Sequence, residues 1–460
     1  MADSKPVDAK KSDRGPGRSW NELARADTNQ VPAFLLEDHE PALGDAPLDV
    51  ARYTSREFFD LEMTHMWPRV WQFAAREEEL PEPGDTVVYE YGPKSFLLVR
   101  QEDHSIRAFY NACLHRGRKL RTASGKVNDL RCPYHAFTWN ADGSLKRIPC
   151  EWDFPHLKNK DMNLPEVQVG TWGGYVFIKE EAGGMSLEEY LAPLPQHFKN
   201  WGPEECYTVK WGAKILKANW KVCMEAFIEA FHVVATHPQI LPFTADTNSK
   251  YALFSDHTNL TITPFGVTST HVPAANREEQ WVIDQFVKYN GRVVEPGMKL
   301  QVEEGKTARQ AMGAFNRARF GKMIGRDISG VSDAEVQDAF TYNVFPNFSP
   351  WGGYGPAVVY RWRPWPDQDH CLMEVRLIQR AKPGEAKPKC PEMVMIPDDE
   401  DWEPMFGQLG YVLNQDMANI PHVHTGMKAM RDGKVELAHY QEVRIRHWHQ
   451  TIDKYIKGEL

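Results

Sequence analysis

Positive charge is in short supply in this chain: Lys and Arg number 54 against 63 Asp and Glu, a formal charge of −9. That balance gives no electrostatic case for binding nucleic acid and favours basic partners instead. No apolar run reaches membrane-spanning length, and the start Met1-Ala-Asp-Ser-Lys5 lacks the apolar core of a secretory signal. The seven cysteines are odd in number and show no disulfide-like arrangement, so a reducing, cytoplasmic setting is expected. Internal repeats, heptads and a flavin or nicotinamide fingerprint are all missing, which places any such cofactor on a separate protein. What remains is 42% hydrophobic content over 460 residues, enough for two or three domains with real cores.

Two short segments carry unusual donors. Cys113-Leu-His115 and Cys132-Pro-Tyr-His135 each offer one thiolate and one imidazole. A [2Fe–2S] cluster of the Rieske kind uses that set, two thiolates on one iron and two histidines on the other, which raises its potential and suits it to accept electrons from a ferredoxin. A structural zinc site is the alternative, although zinc fingers usually keep their Cys pairs and His pairs in separate halves. Gly117 permits a sharp turn and Pro133 stiffens the second segment. Tyr134, Phe137 and Trp139 are candidates to shield a cluster from water.

A second constellation follows downstream. In the segment from Asn219 to Pro238, His232 and His237 stand five apart behind Glu229. On an unbroken helix they would point about 140° apart, so they can share one metal only if the helix bends or ends between them. Pro238 disfavours helix at His237, which predicts a helix running through His232 and giving way near His237. Glu229 is three residues before His232, on the same helical face, where a carboxylate can orient the imidazole. Two histidines and one carboxylate form the facial triad of non-haem Fe(II) oxygenases. For the third ligand, Asp398-Asp399-Glu400-Asp401 reads as a solvated loop. Asp416 is the better candidate, within a stretch whose apolar spacing at Val412, Leu413, Met417 and Ile420 is helical.

Taken together these segments resemble the catalytic α subunits of Rieske non-haem iron ring-hydroxylating oxygenases, over most of the chain. The likeness rests on Cys113-Leu-His115-Arg-Gly117, Cys132-Pro-Tyr-His135, Ala141-Asp-Gly143-Ser-Leu145 with Pro149, Asn219-Trp220-Lys221, the His232, His237 and Asp416 set, Phe345-Pro346-Asn347 and Arg363-Pro364. It implies a [2Fe–2S] cluster on Cys113, His115, Cys132 and His135, and a mononuclear Fe(2+) on His232, His237 and Asp416. It further implies ferredoxin or flavin reductase partners, O2 and a small organic, aromatic substrate, and a homotrimer or α3β3 assembly with Glu229 bridging the iron site to the cluster of a neighbouring subunit. Two departures stand out. Glu229 stands where many members have Asp, a glutamate that resembles the subgroup acting on quaternary amines and is carried by other members as well, and Ala226 replaces a common asparagine. A pure electron carrier or redox sensor, needing only the cluster, and a zinc-stabilised ligand-binding protein are the competing readings.

The expected fold class is α+β, a small antiparallel β Rieske domain joined to a helix-grip catalytic domain with an antiparallel sheet. Expected boundaries are a mobile extension over 1–45, a helical segment over 46–69 packing on the catalytic domain, the Rieske domain over 70–185 and the catalytic domain over 186–460. A first helix is predicted from Ser55 to about Trp67, an iron helix near Lys221 to Val234, and further helices near Thr307 to Ile324 and Val443 to Ile456. The stretch Leu372 to Leu377 predicts a strand with Met373, Val375 and Leu377 inward and Glu374 and Arg376 outward.

Overall fold

The computed structural model describes residues 16–39, 42–289 and 298–460. The α+β reading holds, with two β-rich bodies and helices gathered on the second. The first body is a seven-stranded antiparallel sheet in the order Gln72–Arg76, Tyr175–Lys179, Glu166–Trp172, Ile106–Tyr110, Lys94–Arg100, Asp85–Tyr91, Gly125–Lys126. Beside it a three-stranded sheet, Leu130–Arg131, Thr138–Trp139 and Leu145–Arg147, has its own core of Leu130, Phe137 and Trp139. Gly143 makes the turn between its last two strands with φ +82°, and a Cβ there would lie 2.4 Å from the Phe109 ring.

The second body holds a five-stranded sheet in the order Ser349–Pro350, Ala357–Pro364, Cys371–Arg380, Cys206–Leu216, Val394–Met395, the last pairing parallel. Single bridges Thr341↔Trp351 and Val344↔Phe348 extend it into the three-stranded sheet of Lys250–Leu253, Thr258–Thr263 and Ala339–Val344. The helix Val443–Lys457 packs on the latter, and its buried Arg444 donates to Asn259 Oδ1 at 2.5 Å, to Ile228 O at 3.1 Å and to Thr341 O at 3.2 Å. Predicted helices recur as Arg56–Leu61, capped by Ser55, and as Ala308–Ile324, capped by Thr307. No helix among the described residues is long and apolar enough to cross a membrane.

Two expectations need correction. The described part of the supposed mobile extension is packed: Trp20 is buried and donates from Nε1 to Asp338 Oδ2 at 2.8 Å, within a helix capped by Ser19. Arg309 clamps the same region by pairing with both Asp27 and Asp338. Residues 1–15, 40 and 41 lie outside the described residues.

The second correction concerns Glu374 and Arg376, which do not face solvent but are each 1% exposed. Their side of the sheet is covered by the first body. Arg361 donates to Glu374 through Nε at 3.1 Å and Nη2 at 2.6 Å, and to the backbone oxygen of Phe73 at 3.2 Å. Arg363 also pairs with Glu374, and Arg376 reaches Glu79 at 2.7 Å. Burial would raise the Glu374 carboxyl, but the guanidiniums of Arg361, Arg363 and Arg376 hold it far below the usual carboxylate range. Its contribution to stability is therefore full above that range and is lost only as pH falls. Glu374→Ala strands buried guanidiniums, so we expect a loss of about 3–5 kcal/mol, read as a lower urea midpoint. A midpoint unchanged within error would show that the junction does not depend on this carboxylate.

Candidate metal centres

The two cluster segments close by the same backbone pattern. Cys113 N donates to Arg118 O and Gly117 N to Cys113 O; likewise Cys132 N donates to Phe137 O and Ala136 N to Cys132 O, all between 2.8 and 3.0 Å. Gly117 at φ +74° and Ala136 at φ +60° take the left-handed turn at matching positions. The loops bring the expected donors together in pairs, thiol beside thiol and ring beside ring. Cys113 and Cys132 are buried free thiols, and the rings of His115 and His135 lie 4.6 Å apart. Burial raises the Cys113 thiol, and Cys132 beside it adds to the rise. Burial, with His135 and Arg116 nearby, keeps the His115 ring below its usual value and hence neutral.

His115 Nδ1 is buried with no hydrogen-bond partner, a state that a bound iron would relieve. Two side-by-side thiols, two neighbouring imidazoles and an orphaned ring nitrogen fit a [2Fe–2S] cluster. Phe137 shields this pocket, stacking on His115 at 4.8 Å, while Phe154 meets His115 edge-on at 5.7 Å. Tyr134 does not shield as expected: it is 56% exposed at the tip, with its ring 3.8 Å from that of His135.

The second site forms where the helix fails. Trp220–Glu225 is helical, the chain then turns through Ala226 to Phe231, and a short helix Val233–Thr236 restarts behind His232. A break before His232 thus divides the expected helix near Lys221 to Val234, while the ending near His237 is as predicted. His237 ends the second helix at φ −126°, ψ 50°, ahead of Pro238. Both rings then reach Asp416 on the helix Gln408–Met417, with His237 Nε2 at 3.0 Å and His232 Nε2 at 3.6 Å from Oδ1. One ligand atom from each residue lies within 4.8 Å of the others. The acidic run at Asp398 to Asp401 has another task, since its backbone oxygens and Asp398 receive Lys214 and Lys217.

Each imidazole is oriented from behind. Glu229 accepts from His232 Nδ1 at 2.6 Å and from His232 N at 3.0 Å. Gln415 Oε1 accepts from His237 Nδ1 at 2.9 Å and from Gln239 Nε2 at 2.7 Å. Both rings therefore carry their proton on Nδ1 and present Nε2 to the shared point, as a metal requires. Burial would lower His232, but Glu229 and then Asp416 carry it up to about 9. A pocket of two carboxylates that draws protons onto an imidazole equally favours a cation, and the donor set suits Fe(II). Gln415 was not foreseen; only its place beside Asp416 hinted at it.

Behind the first helix lies a buried polar cluster that sequence reasoning also missed. Lys221 pairs with Glu62 at 2.6 Å, and both are essentially inaccessible. Glu225, one turn later, has no cation of its own. It meets Tyr53 OH at 3.1 Å and His449 Nε2 at 2.8 Å, and burial pushes its carboxyl up to about 8.

Comparison with known proteins identifies the family. The family model for the ring hydroxylating alpha subunit catalytic domain matches residues 198–458, and that for the Rieske [2Fe-2S] domain matches 70–158. The chain belongs to the ring-hydroxylating oxygenase α-subunit family. Its members hold a Rieske [2Fe–2S] cluster and a mononuclear iron, the two groups these donor sets fit. Similar proteins include the glycine betaine monooxygenase oxygenase subunit of Pseudomonas aeruginosa, 30% identical over 41% of this chain. The carnitine monooxygenase oxygenase subunit of Escherichia coli is 32% identical over 40% of the chain. These alignments span 44% and 50% of the relatives, about half their length. Among solved structures, naphthalene 1,2-dioxygenase with indole bound superposes with TM-score 0.64 at 19% identity, covering 91% of this chain and 94% of that one. A quaternary ammonium Rieske monooxygenase with L-carnitine gives 0.63 at 16%, covering 91% and 99%. These last two establish a shared fold.

Two outcomes follow. Asp416→Ala should lower iron from about three to about two per chain while leaving the cluster spectrum intact; unchanged iron would remove Asp416 from the ligand set. For Glu225, the unfolded chain releases its proton in the usual carboxylate range while the folded chain keeps it to about 8. Its stabilising contribution is thus complete below that range and gone once pH has risen through about 8. Relative to Glu225→Gln, the wild type should lose stability steadily over that interval in chemical denaturation. Parallel pH profiles would mean that Glu225 is ionised in the fold.

Proposed function

We propose that this chain is the terminal oxygenase component of a multicomponent Rieske oxygenase. It takes electrons from NAD(P)H by way of a ferredoxin or flavin reductase and uses O2 to hydroxylate a small organic substrate in the cytoplasm. The observation that carries this reading is the presence of two donor sets of different chemistry in one chain: mixed Cys/His loops suited to storing an electron, and a two-histidine, one-carboxylate set suited to an open-sided iron. A pure electron carrier would need only the first. Whole-protein iron content separates the readings, with about three irons per chain for the oxygenase and about two for the carrier.

When bound, the cluster supplies electrons one at a time and the mononuclear iron supplies the oxygen chemistry. The chain's own residues do the rest. His232, His237 and Asp416 would hold the metal. Glu229 and Gln415 keep both imidazoles in the ligating tautomer. Ala226, in the turn before the ligands, removes a polar side chain that many members place near the iron, and makes the pocket more apolar.

Glu229 is also the candidate link between centres. Its carboxylate binds His232, and in a trimer it would accept from the outer nitrogen of a neighbour's His135, which is exposed on the cluster tip. Relatives act, by their names, on glycine betaine, carnitine and naphthalene. Our reading of the substrate is a small organic molecule, aromatic or a quaternary amine, with monohydroxylation, dihydroxylation and dealkylation all within the reach of such a site. Glu229→Gln keeps shape but weakens the acceptor. We expect full metal loading and normal cluster reduction by dithionite, with substrate-coupled oxygenation reduced about 10–100-fold. Wild-type turnover in a fully loaded variant would sink the bridge.

A further inference from the structure

The two histidines of the mononuclear site are backed by partners of different kinds. Behind His232 stands Glu229, a carboxylate that can only accept, so the proton on His232 Nδ1 is fixed by the partner's chemistry. Behind His237 stands an amide. Gln415 carries an acceptor and a donor on one carbon, and either can meet a ring nitrogen. With the oxygen inward, His237 keeps its proton on Nδ1 and offers Nε2 to a metal. With the nitrogen inward, Nδ1 must accept and the proton sits on Nε2, which stands 3.0 Å from Asp416 Oδ1 and would donate to that ligand oxygen. The ring holds one proton in both arrangements, but only the first leaves the site open.

Which way the amide faces depends on a second glutamine. Gln239 lies two residues after His237, on the turn Pro238–Ile240. Its side chain and that of Gln415 form a reciprocal pair: Gln239 Nε2 donates to Gln415 Oε1 at 2.7 Å, and Gln415 Nε2 donates to Gln239 Oε1 at 3.3 Å. Gln415 Oε1 is the same atom that accepts from His237 Nδ1 at 2.9 Å. One atom thus answers to two partners, and a donor at position 239 requires an acceptor facing His237. Among the described residues the Gln239 side chain has no other polar partner. The pair closes across 176 residues and joins the turn that follows His237 to the helix that carries Asp416.

We propose that Gln239 is a positioning residue of the mononuclear site: by donating to Gln415 it holds the Gln415 oxygen against His237 and keeps Nε2 of that ring free for the metal. This rests on the reading of His232, His237 and Asp416 as an iron site and adds a residue that acts on it only through Gln415. The effect has a sign opposite to that of simple electrostatics, in which added negative charge strengthens a cation site and added positive charge weakens it. At position 239 the direction of the hydrogen bond decides. A carboxylate there has no hydrogen to give, so Gln415 must turn its nitrogen toward it, and the same turn brings that nitrogen to His237 Nδ1. An ammonium there only donates and keeps the Gln415 oxygen inward.

The test is retention of Fe(II) by the intact, metal-loaded protein, followed as release to a ferrous chelator, with the iron and absorption of the [2Fe–2S] cluster as internal standard. Gln239→Glu should weaken retention of the mononuclear iron about 10–100-fold, although it adds a negative charge beside the site. Gln239→Lys should hold that iron at the wild-type level, although it adds a positive one. Gln415→Glu, which can only accept and so serves both His237 Nδ1 and Gln239 Nε2, should retain it as well. Unchanged or tighter retention in Gln239→Glu would overturn the proposal. So would a comparable loss in Gln239→Lys or in Gln415→Glu, which is what a merely structural contact produces. Asp416→Ala checks the underlying reading separately: iron kept in that variant means the ligand set is wrong, whereas iron lost there but kept in Gln239→Glu removes only Gln239.

Discussion

Two imidazoles five residues apart can serve one ion only if they do not share one continuous helix, and the chain meets that requirement by unwinding at Ala226 and setting His232 just before, and His237 just after, the short helix Val233–Thr236. The interruption has its own supports. Asn219 caps the first helix at Lys221 N, and Pro238 stops the second. Between them the turn is tied down from above, where Arg444 on the long helix donates to Ile228 O, and by Tyr251, whose hydroxyl receives Ala230 N at 3.3 Å. A turn anchored at adjacent residues fixes Glu229 between them, and Glu229 in turn fixes His232. The site's precision thus belongs to the layer behind the ligands.

Away from the site, the fold buries charge in paired sets. Glu374 satisfies Arg361 and Arg363, Arg376 goes to Glu79, and Arg309 takes both Asp27 and Asp338. Such pairs are weak sources of stability, because desolvation offsets most of their attraction. They are strong sources of specificity, since removal of either partner leaves a buried charge exposed to nothing. Here each set joins segments far apart in the chain: residues 73–79 to the central sheet, and residues 20–28 to the 309–338 region. The first of these sets ties the two β-rich bodies together through charges buried at their junction.

What the sequence made legible follows from this division. The metal donors could be read because their chemistry demands particular residue types at short spacing, as at Cys132 to His135 or Glu229 to His232. The strands and long helices were legible from local periodicity. Glu374 and Arg376 misled because alternation shows only that one face is polar. It does not show that another domain's backbone, at Phe73 and Ala74, will cover that face. Trp20 misled for the same reason, its partner Asp338 lying 318 residues away. Gln415 makes its contact across 178 residues to His237, with no local pattern to announce it. In each case the missing information is a long-range pairing, and a local window contains none.

The buried acid at Glu225 shows how such pairings set chemistry as well as shape. Lys221 and Glu225 are one helical turn apart and would ordinarily pair along the helix face. Glu62 intervenes, taking the Lys221 ammonium at 2.6 Å within a region closed to water. Glu225 is left with Tyr53 and His449, both neutral partners. Burial together with the cations of Arg52, Lys221 and Arg446 keeps His449 far below its usual value, so it cannot serve as a counter-ion either. A carboxylate without a cation in such a place holds its proton. Glu229 and Asp416 face the metal position, and the helix that leads into the site adds no negative charge of its own through Glu225 until pH rises to about 8.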